Sequence, residues 1–403
     1  MTLETISTRC CIAGGGPAGL MLGLLLARAG VEVLVLEKHA DFLRDFRGDT
    51  IHPSTMEVLH ELGFLEEFLQ LPHQPVPRLV AQFGKTPAVF ADFSHLPTRA
   101  KFIAMMPQWD FLNFIAEKAH HYKTFRLMMQ AEAKALIEED ARVVGVRATT
   151  PGGPLEVRAD LVVAADGRDS ILRAQSGLKV EDLGAPMDAL WFRLPRSAAD
   201  TDQTQGRFDA GRIFVMLNRG DYWQCAFVIP KGQNEHIRAA GLDAFRQSVG
   251  ALVPFEAART NEIENWDQVK LLTVQVNRLE QWWREGFLCI GDAAHAMSPV
   301  GGVGINLAIQ DAVAASNVLA EPLRDGRLST EHLAAVQKRR DWPTRVTQRL
   351  QLAMQNRVIA PALAEKESFR PPLFMRVLSC IPGLNRIPAR LVGMGVRPEH
   401  VRT

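Results

Sequence analysis

Three apolar runs open the chain, each with a different period. "RCCIA" (9–13) is short and continuous, as a buried strand would be. "LMLGLLLARAG" has the length of a helix and is closed by Gly30, and "VEVLVLEK" is β-branched in character. With "GGGPAG" between the first two, the order is strand, glycine turn, helix, strand: one βαβ unit. Further on, Ser54 is placed to cap a helix from Thr55 to Leu62, and "MPQWDFLNFIAEKAHH" predicts a helix entered at Pro107 or Asp110. The alternation in "ALIEED", "ARVVGVRAT" and "PLEVRADLVVAADG" predicts a meander whose last strand runs into "AADGRDS". From about 186 to 275 the runs "ALWFRLP", "GRIFVMLN", "DYWQCAFVIP" and "VKLLTVQVN" predict a second sheet covering a pocket. "INLAIQDAVAASNVLA" is of helical length. The tail from about 330 reads as helical, broken by Pro343, Pro361, Pro371, Pro372, Pro382 and Pro388.

Composition narrows the function classes more than it names one. The 403 residues suffice for two domains sharing a surface, and a formal net charge of +1 gives no electrostatic reason to expect a nucleic acid. Five cysteines, two of them adjacent (Cys10, Cys11), show no metal-ligand spacing, so no metal is expected and a reducing, cytoplasmic setting is. Thr2 to Arg9 is too polar for a signal peptide, and the run "AGLMLGLLLA" is far short of the ~20 residues a membrane span needs.

The glycine turn carries the first chemistry. Gly14, Gly16 and Gly19 fit G-x-G-x-x-G: one glycine for a tight turn, one for close approach of a pyrophosphate, one for packing of helix on sheet. Pro17 and Ala18 open the helix, whose N-terminal amides would face the phosphates. Glu37, followed by Lys38, ends the second strand about 20 residues on, where a carboxylate can take ribose hydroxyls. The fingerprint alone leaves FAD and NAD(P) both open.

Three motifs in order, "GGGPAG", "LVVAADGRDSILR" and "FLCIGDAAHAMSPVGGVGINLAIQDA", resemble the single-component FAD-dependent aromatic hydroxylases, the group A flavoprotein monooxygenases with the p-hydroxybenzoate hydroxylase fold. The resemblance spans roughly residues 8 to 345. It implies an α/β architecture: a Rossmann-like FAD-binding domain, an inserted mixed β-sheet substrate domain and a C-terminal helical tail. The segments expected are 1–75, 104–182 and 276–345 for FAD, 76–103 and 183–275 for substrate, and 346–403 for the tail.

The resemblance also implies a tightly held, non-covalent FAD, with NAD(P)H as a transient reductant. Gly291 and Asp292 would reach the middle of the FAD, the carboxylate accepting from ribityl hydroxyls. The loop through Pro299, Gly302, Val303, Gly304, Ile305 and Asn306 would wrap the flavin, its amides facing the N1–C2=O edge that is negative when reduced. Arg47, Gln108, Asp166 and Gly167 match further cofactor-contacting positions; Ser170 and Arg173 would support the Asp166 turn. His52 and His295 fit structural roles better than catalytic ones, and no catalytic residue is assigned.

The chemistry so implied is reduction of FAD by NAD(P)H, reaction with O₂ to a C4a-hydroperoxide, and transfer of one oxygen to an electron-rich, aromatic small molecule. Trp191, Arg193, Phe214 and Trp223, with Phe192 and Met216, are candidates for the substrate wall. Quinone-pathway hydroxylases, prenyl-chain reductases and a non-catalytic FAD redox sensor stay open as alternatives. A halogenase would need W-x-W-x-I-P where this chain has "YWQCAFVIP". The arginine-rich, partly apolar tail leaves room for peripheral membrane contact, and either a monomer or a homodimer is compatible with the sequence.

Overall fold

The computed structural model describes residues 4–43, 50–84, 86–202, 204–209, 211–365 and 383–403. Its main sheet has eight strands. Five of them run parallel in the order Phe287–Cys289, Gly153–Ala164, Glu4–Ala13, Val33–Glu37, Phe125–Met129. All five residues of Val33–Glu37 are buried, as are Cys10 to Ala13; strands covered on both faces read as continuous apolar runs. The predicted meander is present: Glu132–Glu139 and Arg142–Thr150 extend the sheet antiparallel onto Gly153–Ala164.

The helix Pro17–Arg28 buries every residue from Ala18 to Ala27, because it lies between this sheet and the helices Gln108–His120 and Gly304–Arg324. A Cβ on Gly23 would stand 2.9 Å from both Phe125 and Val35, so a glycine there sets the helix–sheet spacing.

The second sheet has seven strands in the order Lys270–Leu272, Met187–Pro195, Tyr222–Pro230, Arg212–Asn218, Gln205–Asp209, Arg78–Phe83, Thr86–Asp92. One parallel pair, Gln205–Asp209 with Arg78–Phe83, joins the early excursion to the later strands. A three-stranded sheet of Thr50–Ile51, Ile103–Met105 and Gln74–Val76 stands between the two.

Three local expectations need correction. The helix after Thr50 is Pro53–Glu61, with His52 as N-cap; Pro53 takes N1, where its missing N–H is no loss, and Ser54 lies inside the helix. Pro343 does not end a helix: Thr330–Met354 runs through it, since proline's fixed φ is helical and burial of Leu333, Val336 and Thr344 on either side outweighs one lost bond. Pro388 lies in the first turns of Arg386–Gly393, where a proline is tolerated; Pro371, Pro372 and Pro382 fall outside the described residues.

Val300–Arg324 is long and apolar enough to cross a membrane by composition, but 78% of its most apolar window is buried inside the fold, which marks it as a core helix.

Candidate functional site

Register decides where the motifs meet. Ala13, Ala164 and Cys289 are direct neighbours on three parallel strands. The chain therefore leaves the sheet at one edge three times, as Gly14, as Ala165–Asp166 and as Ile290–Gly291. In open parallel sheets the carboxyl ends of the strands are where ligands bind.

The first exit is the glycine turn. Gly14 sits at φ +109°, and a Cβ on it would stand 2.4 Å from the Ala165 carbonyl oxygen. One on Gly19 would stand 1.9 Å from the Gly14 carbonyl oxygen. Gly16 differs: its Cβ would meet nothing within 4 Å, so its need for glycine comes from outside the protein chain. Beside it the helix Pro17–Arg28 begins, and the Leu20 amide is the first to donate back, to Gly16 O at 2.9 Å. The amides before it have no intrahelical carbonyl to donate to. Glu37 is buried, and its carboxylate accepts from the amides of Gly15 (2.9 Å) and His39 (3.0 Å), tying the second strand to the turn; Lys38 is exposed.

The second exit holds Asp166 and Gly167, the latter at φ +91°. Asp166 Oδ2 accepts from the Ile171 amide at 3.2 Å, while Oδ1 is buried with no partner among the described residues. Burial pushes this carboxyl above its ordinary range. Ser170 caps the next helical turn by accepting from the Arg173 amide, and Arg173 donates to the carbonyls of Arg168 and Ala293. That guanidinium locks the second exit to the third.

At the third exit Gly291 adopts φ +58° between Ala18 and Ala308, where a Cβ would approach to 3.1 and 3.3 Å. Asp292 is one-third exposed and 3.6 Å from the Arg168 guanidinium. His295 packs on Trp282, rings 4.9 Å apart, and faces Asp311 at 2.6 Å. Asp311 also accepts from the Gly291 amide (3.1 Å) and from Arg340 Nε (3.0 Å), and Arg340 reaches Glu399 at 3.3 Å. Burial alone would raise Asp311; its contacts with His295 and Arg340 outweigh that and hold the carboxyl low. His295 is thereby fixed in a structural network.

Beyond it the loop passes exposed Pro299 and turns at Gly301 (φ +79°) and Gly302 (φ +62°), where a Cβ would stand 2.5 Å from Thr50 Oγ1. Thr50 Oγ1 donates to Gly302 O at 2.8 Å. Val303, Gly304 and Ile305 are half-buried where the helix Gly304–Arg324 starts. The Asn306 side chain folds back on that end, its Nδ2 donating to Gly302 O at 3.3 Å. Its Oδ1 accepts from the His52 amide (2.8 Å) and Thr55 Oγ1 (2.7 Å), and its Nδ2 donates to Thr50 O (3.2 Å). His52 is fully buried, with Nδ1 2.7 Å from Val392 O, and burial lowers its pKa to about 4. It is neutral at pH 7 and serves this junction. Gln108, half-buried, opens its helix just after the strand that pairs with Thr50–Ile51. Arg47 lies outside the described residues.

The proposed substrate wall divides in two. Directly paired residues share a face, and neighbours along a strand do not. Trp191, Ala226 and Val215 form one row; Arg193, Gln224 and Leu217 form the next on that face. This face packs toward Ile103 and Met105, hence toward the Thr50–Gly302 junction. Arg193 is exposed, its charge 4.8 Å over the Tyr222 ring. Phe214 and Trp223, with Phe192 and Met216, occupy the opposite face and are closed against Phe245 and Val249. Those four leave the substrate wall: strand parity puts them in a separate core.

Arg168, Thr50, Asp311 and Arg340 were not singled out from sequence. Asp311 had a signal, a carboxylate flanked on both sides by apolar residues of its helix, which must find a partner when buried. Arg168 and Arg340 had none; each meets its partner across more than 25 residues of chain.

The site suits a dinucleotide on this geometry: an open face at Gly16, helix amides with no intrahelical acceptor, a buried Asp166 oxygen without a partner among the described residues, and a glycine loop that a side chain would fill. Residues 7–350 match the FAD binding domain family. The 6-methylpretetramide 4-monooxygenase of Streptomyces rimosus is 33% identical over 375 residues, 92% of this chain and 88% of that protein. The 12-dehydrotetracycline 5-monooxygenase/anhydrotetracycline 6-monooxygenase of Streptomyces rimosus subsp. rimosus is 27% identical over 321 residues, 75% of this chain but only 60% of that longer relative. The solved p-nitrophenol 4-monooxygenase PnpA of Pseudomonas putida DLL-E4 has the same fold, with a TM-score of 0.76 at 20% identity over 98% of this chain and 100% of PnpA. The chain belongs to the FAD binding domain family and is an FAD-dependent monooxygenase.

Proposed function

We propose that the enzyme hydroxylates a fused-ring phenolic substrate, with NAD(P)H as electron donor and O₂ as oxygen source. The observation that carries this is the 33% identity to a pretetramide hydroxylase over most of both chains. The face that carries Trp191, Val215 and Leu217 beside Arg193 and Gln224 supports it, because a flat phenolic polycycle needs an apolar wall and a few polar contacts to orient it.

Bound FAD supplies oxygen activation; the chain supplies position and dryness. Gly16 and the first-turn amides of Pro17–Arg28 would hold the pyrophosphate, and Glu37 the ribose, by exchanging a backbone amide for a hydroxyl. Asp292, held by Arg168, would accept from the ribityl chain. The amides at the start of Gly304–Arg324 would face the flavin edge where negative charge collects. Substrate would lie between that edge and the Trp191 face, with Met105 and Leu217 keeping water out.

The test is NAD(P)H consumption by the FAD-loaded enzyme with fused-ring phenols, simple phenols, quinones and aromatic acids, products being weighed for one added oxygen. Stimulated consumption with a gain of one oxygen on a fused-ring phenol is expected. Turnover confined to simple phenols or quinones rejects the substrate class, and oxidation of NAD(P)H with no oxygenated product from any ligand rejects hydroxylation.

A further inference from the structure

Three glutamines lie on one stripe of the helix Thr330–Met354 and the turn that follows it: Gln348, Gln351 and Gln355. All three are buried. Spacings of three and four place them in a line, where a core-facing helix would ordinarily carry apolar side chains. A buried primary amide is unfavourable unless its hydrogen bonds are made, so the line calls for an explanation in what it faces.

It faces the loop between His295 and Gly301. Gln348 Nε2 donates to Asn277 O (2.8 Å) and Ala296 O (3.2 Å). Gln351 Nε2 donates to Ser298 O (2.9 Å) and Val300 O (3.0 Å), and its Oε1 accepts from the Ser298 amide (3.2 Å). Gln355 Nε2 donates to Ser298 Oγ at 2.6 Å, and that hydroxyl oxygen accepts from the Val300 amide (3.2 Å). The loop is neither strand nor regular helix up to Val300, so its backbone groups have no ladder to join, and the glutamines take that place. Gln355 begins a five-residue π-helical turn, a local widening that often accompanies functional sites.

We propose that Gln348, Gln351 and Gln355 are positioning residues for the flavin: a zipper that fixes the loop at Ala296, Ser298 and Val300, so that the glycine turn and the amides at Val303 and Gly304 stand at the flavin edge where negative charge collects. This rests on the reading of that loop as the flavin cradle and adds what shapes it. Preorganised amides stabilise charge because they need not reorient when it appears, and a cradle is as good as the residues behind it. Reduced flavin, carrying charge at that edge, depends on the zipper more than oxidised flavin does.

The test uses full-length Gln351→Leu, with Gln355→Leu as a milder variant that removes one hydrogen bond and an oxygen (Oε1) that has no partner among the described residues. Three quantities are read: deuterium uptake of residues 296–302 without FAD, the dissociation constant of FAD, and the reduction potential of bound FAD. For Gln351→Leu, faster exchange across 296–302 and FAD affinity about tenfold weaker are expected. The reduced form should lose about tenfold more than the oxidised form, a potential lower by about 30 mV for two electrons. Gln355→Leu moves the potential the same way by less, and decides the matter if Gln351→Leu does not fold. Variants that melt at lower temperature yet keep wild-type FAD affinity, absorption spectrum and potential overturn the zipper's role and leave the cradle standing. Wild-type protein that takes up no FAD overturns the cradle, and the zipper with it.

Discussion

The two sheets of this enzyme are specified in different ways. At the end of the parallel sheet the decisive positions are those where a Cβ would not fit: Gly14, Gly19 and Gly302 each meet backbone or a neighbouring side chain closer than 3 Å. In the seven-stranded sheet the decisive quantity is parity. Trp191 and Phe192 are adjacent and aromatic, yet one faces Ile103 and Met105 and the other a closed core around Phe245. Backbone geometry tolerates few residue types, so the cofactor end is written in motifs. Side-chain packing tolerates many, so the second sheet is free to vary and its residues do not announce their roles.

The comparison breaks most visibly within the glycine turn itself. Gly19→Ala places a methyl 1.9 Å from a backbone oxygen with nothing flexible to yield, and is expected to lose more than about 5 kcal/mol and the folded state with it. Gly16→Ala meets only open space and should melt within about 1 kcal/mol of wild type without FAD, while binding FAD at least about tenfold more weakly. Thermal melts with and without FAD separate the two. Equal losses of fold would mean that Gly16 is structural and the open face is not a phosphate site.

The second sheet gives the next contrast. Trp223→Ala empties a fully buried position and is expected to lose about 3–5 kcal/mol by denaturant titration. Trp191→Ala, half-buried on the other face, should lose less stability and instead raise KM for the substrate. Reversal of these two effects would show that the cleft lies on the Phe245 side.

These contrasts follow what could be read before the fold was seen. Gly14, Gly16, Gly19, Asp166 and Gly291 were legible because strand ends and tight turns restrict residue type locally. The face that each aromatic of the second sheet takes was not, because strands buried on both faces lose the polar–apolar alternation that reveals orientation; Phe214 and Trp223 look from sequence no different from Trp191. The glutamine line and the Asp311–Arg340–Glu399 network were hidden for another reason: each partner lies dozens of residues away, and nothing in "RVTQRLQLAMQ" tells a buried amide from a solvated one.

His52 stands at the junction of the two regions, and its effect on stability is smaller. Burial lowers its pKa to about 4 against an ordinary 6.5. Between those values the unfolded chain takes up a proton that the folded chain refuses, so stability is full above about pH 6.5 and falls as pH drops toward 4. The gap corresponds to about 3 kcal/mol. His52→Asn keeps a donor for Val392 O and has no titrating ring, so its stability should fall less over that window. Parallel pH slopes for the two proteins would place the acid sensitivity elsewhere.

The smallest effect sharpens the idea that the cofactor end is built for a partner and not for itself. Asp166 is half-buried, raised by that burial, and its buried Oδ1 has no partner among the described residues. A carboxyl whose folded pKa is raised is ionised at neutral pH at the expense of the fold, stability being lost as pH rises through its titration. Asp166→Asn removes that charge at nearly constant shape. FAD-free protein should therefore melt slightly higher than wild type near pH 7, with the advantage vanishing in acid, where wild-type Asp166 is protonated. The same variant should bind FAD more weakly, because a charged acceptor has become a neutral amide. A variant that is less stable without FAD would mean that Asp166 serves the turn alone. One that is more stable and binds FAD equally well would mean that the partnerless oxygen faces nothing the enzyme uses.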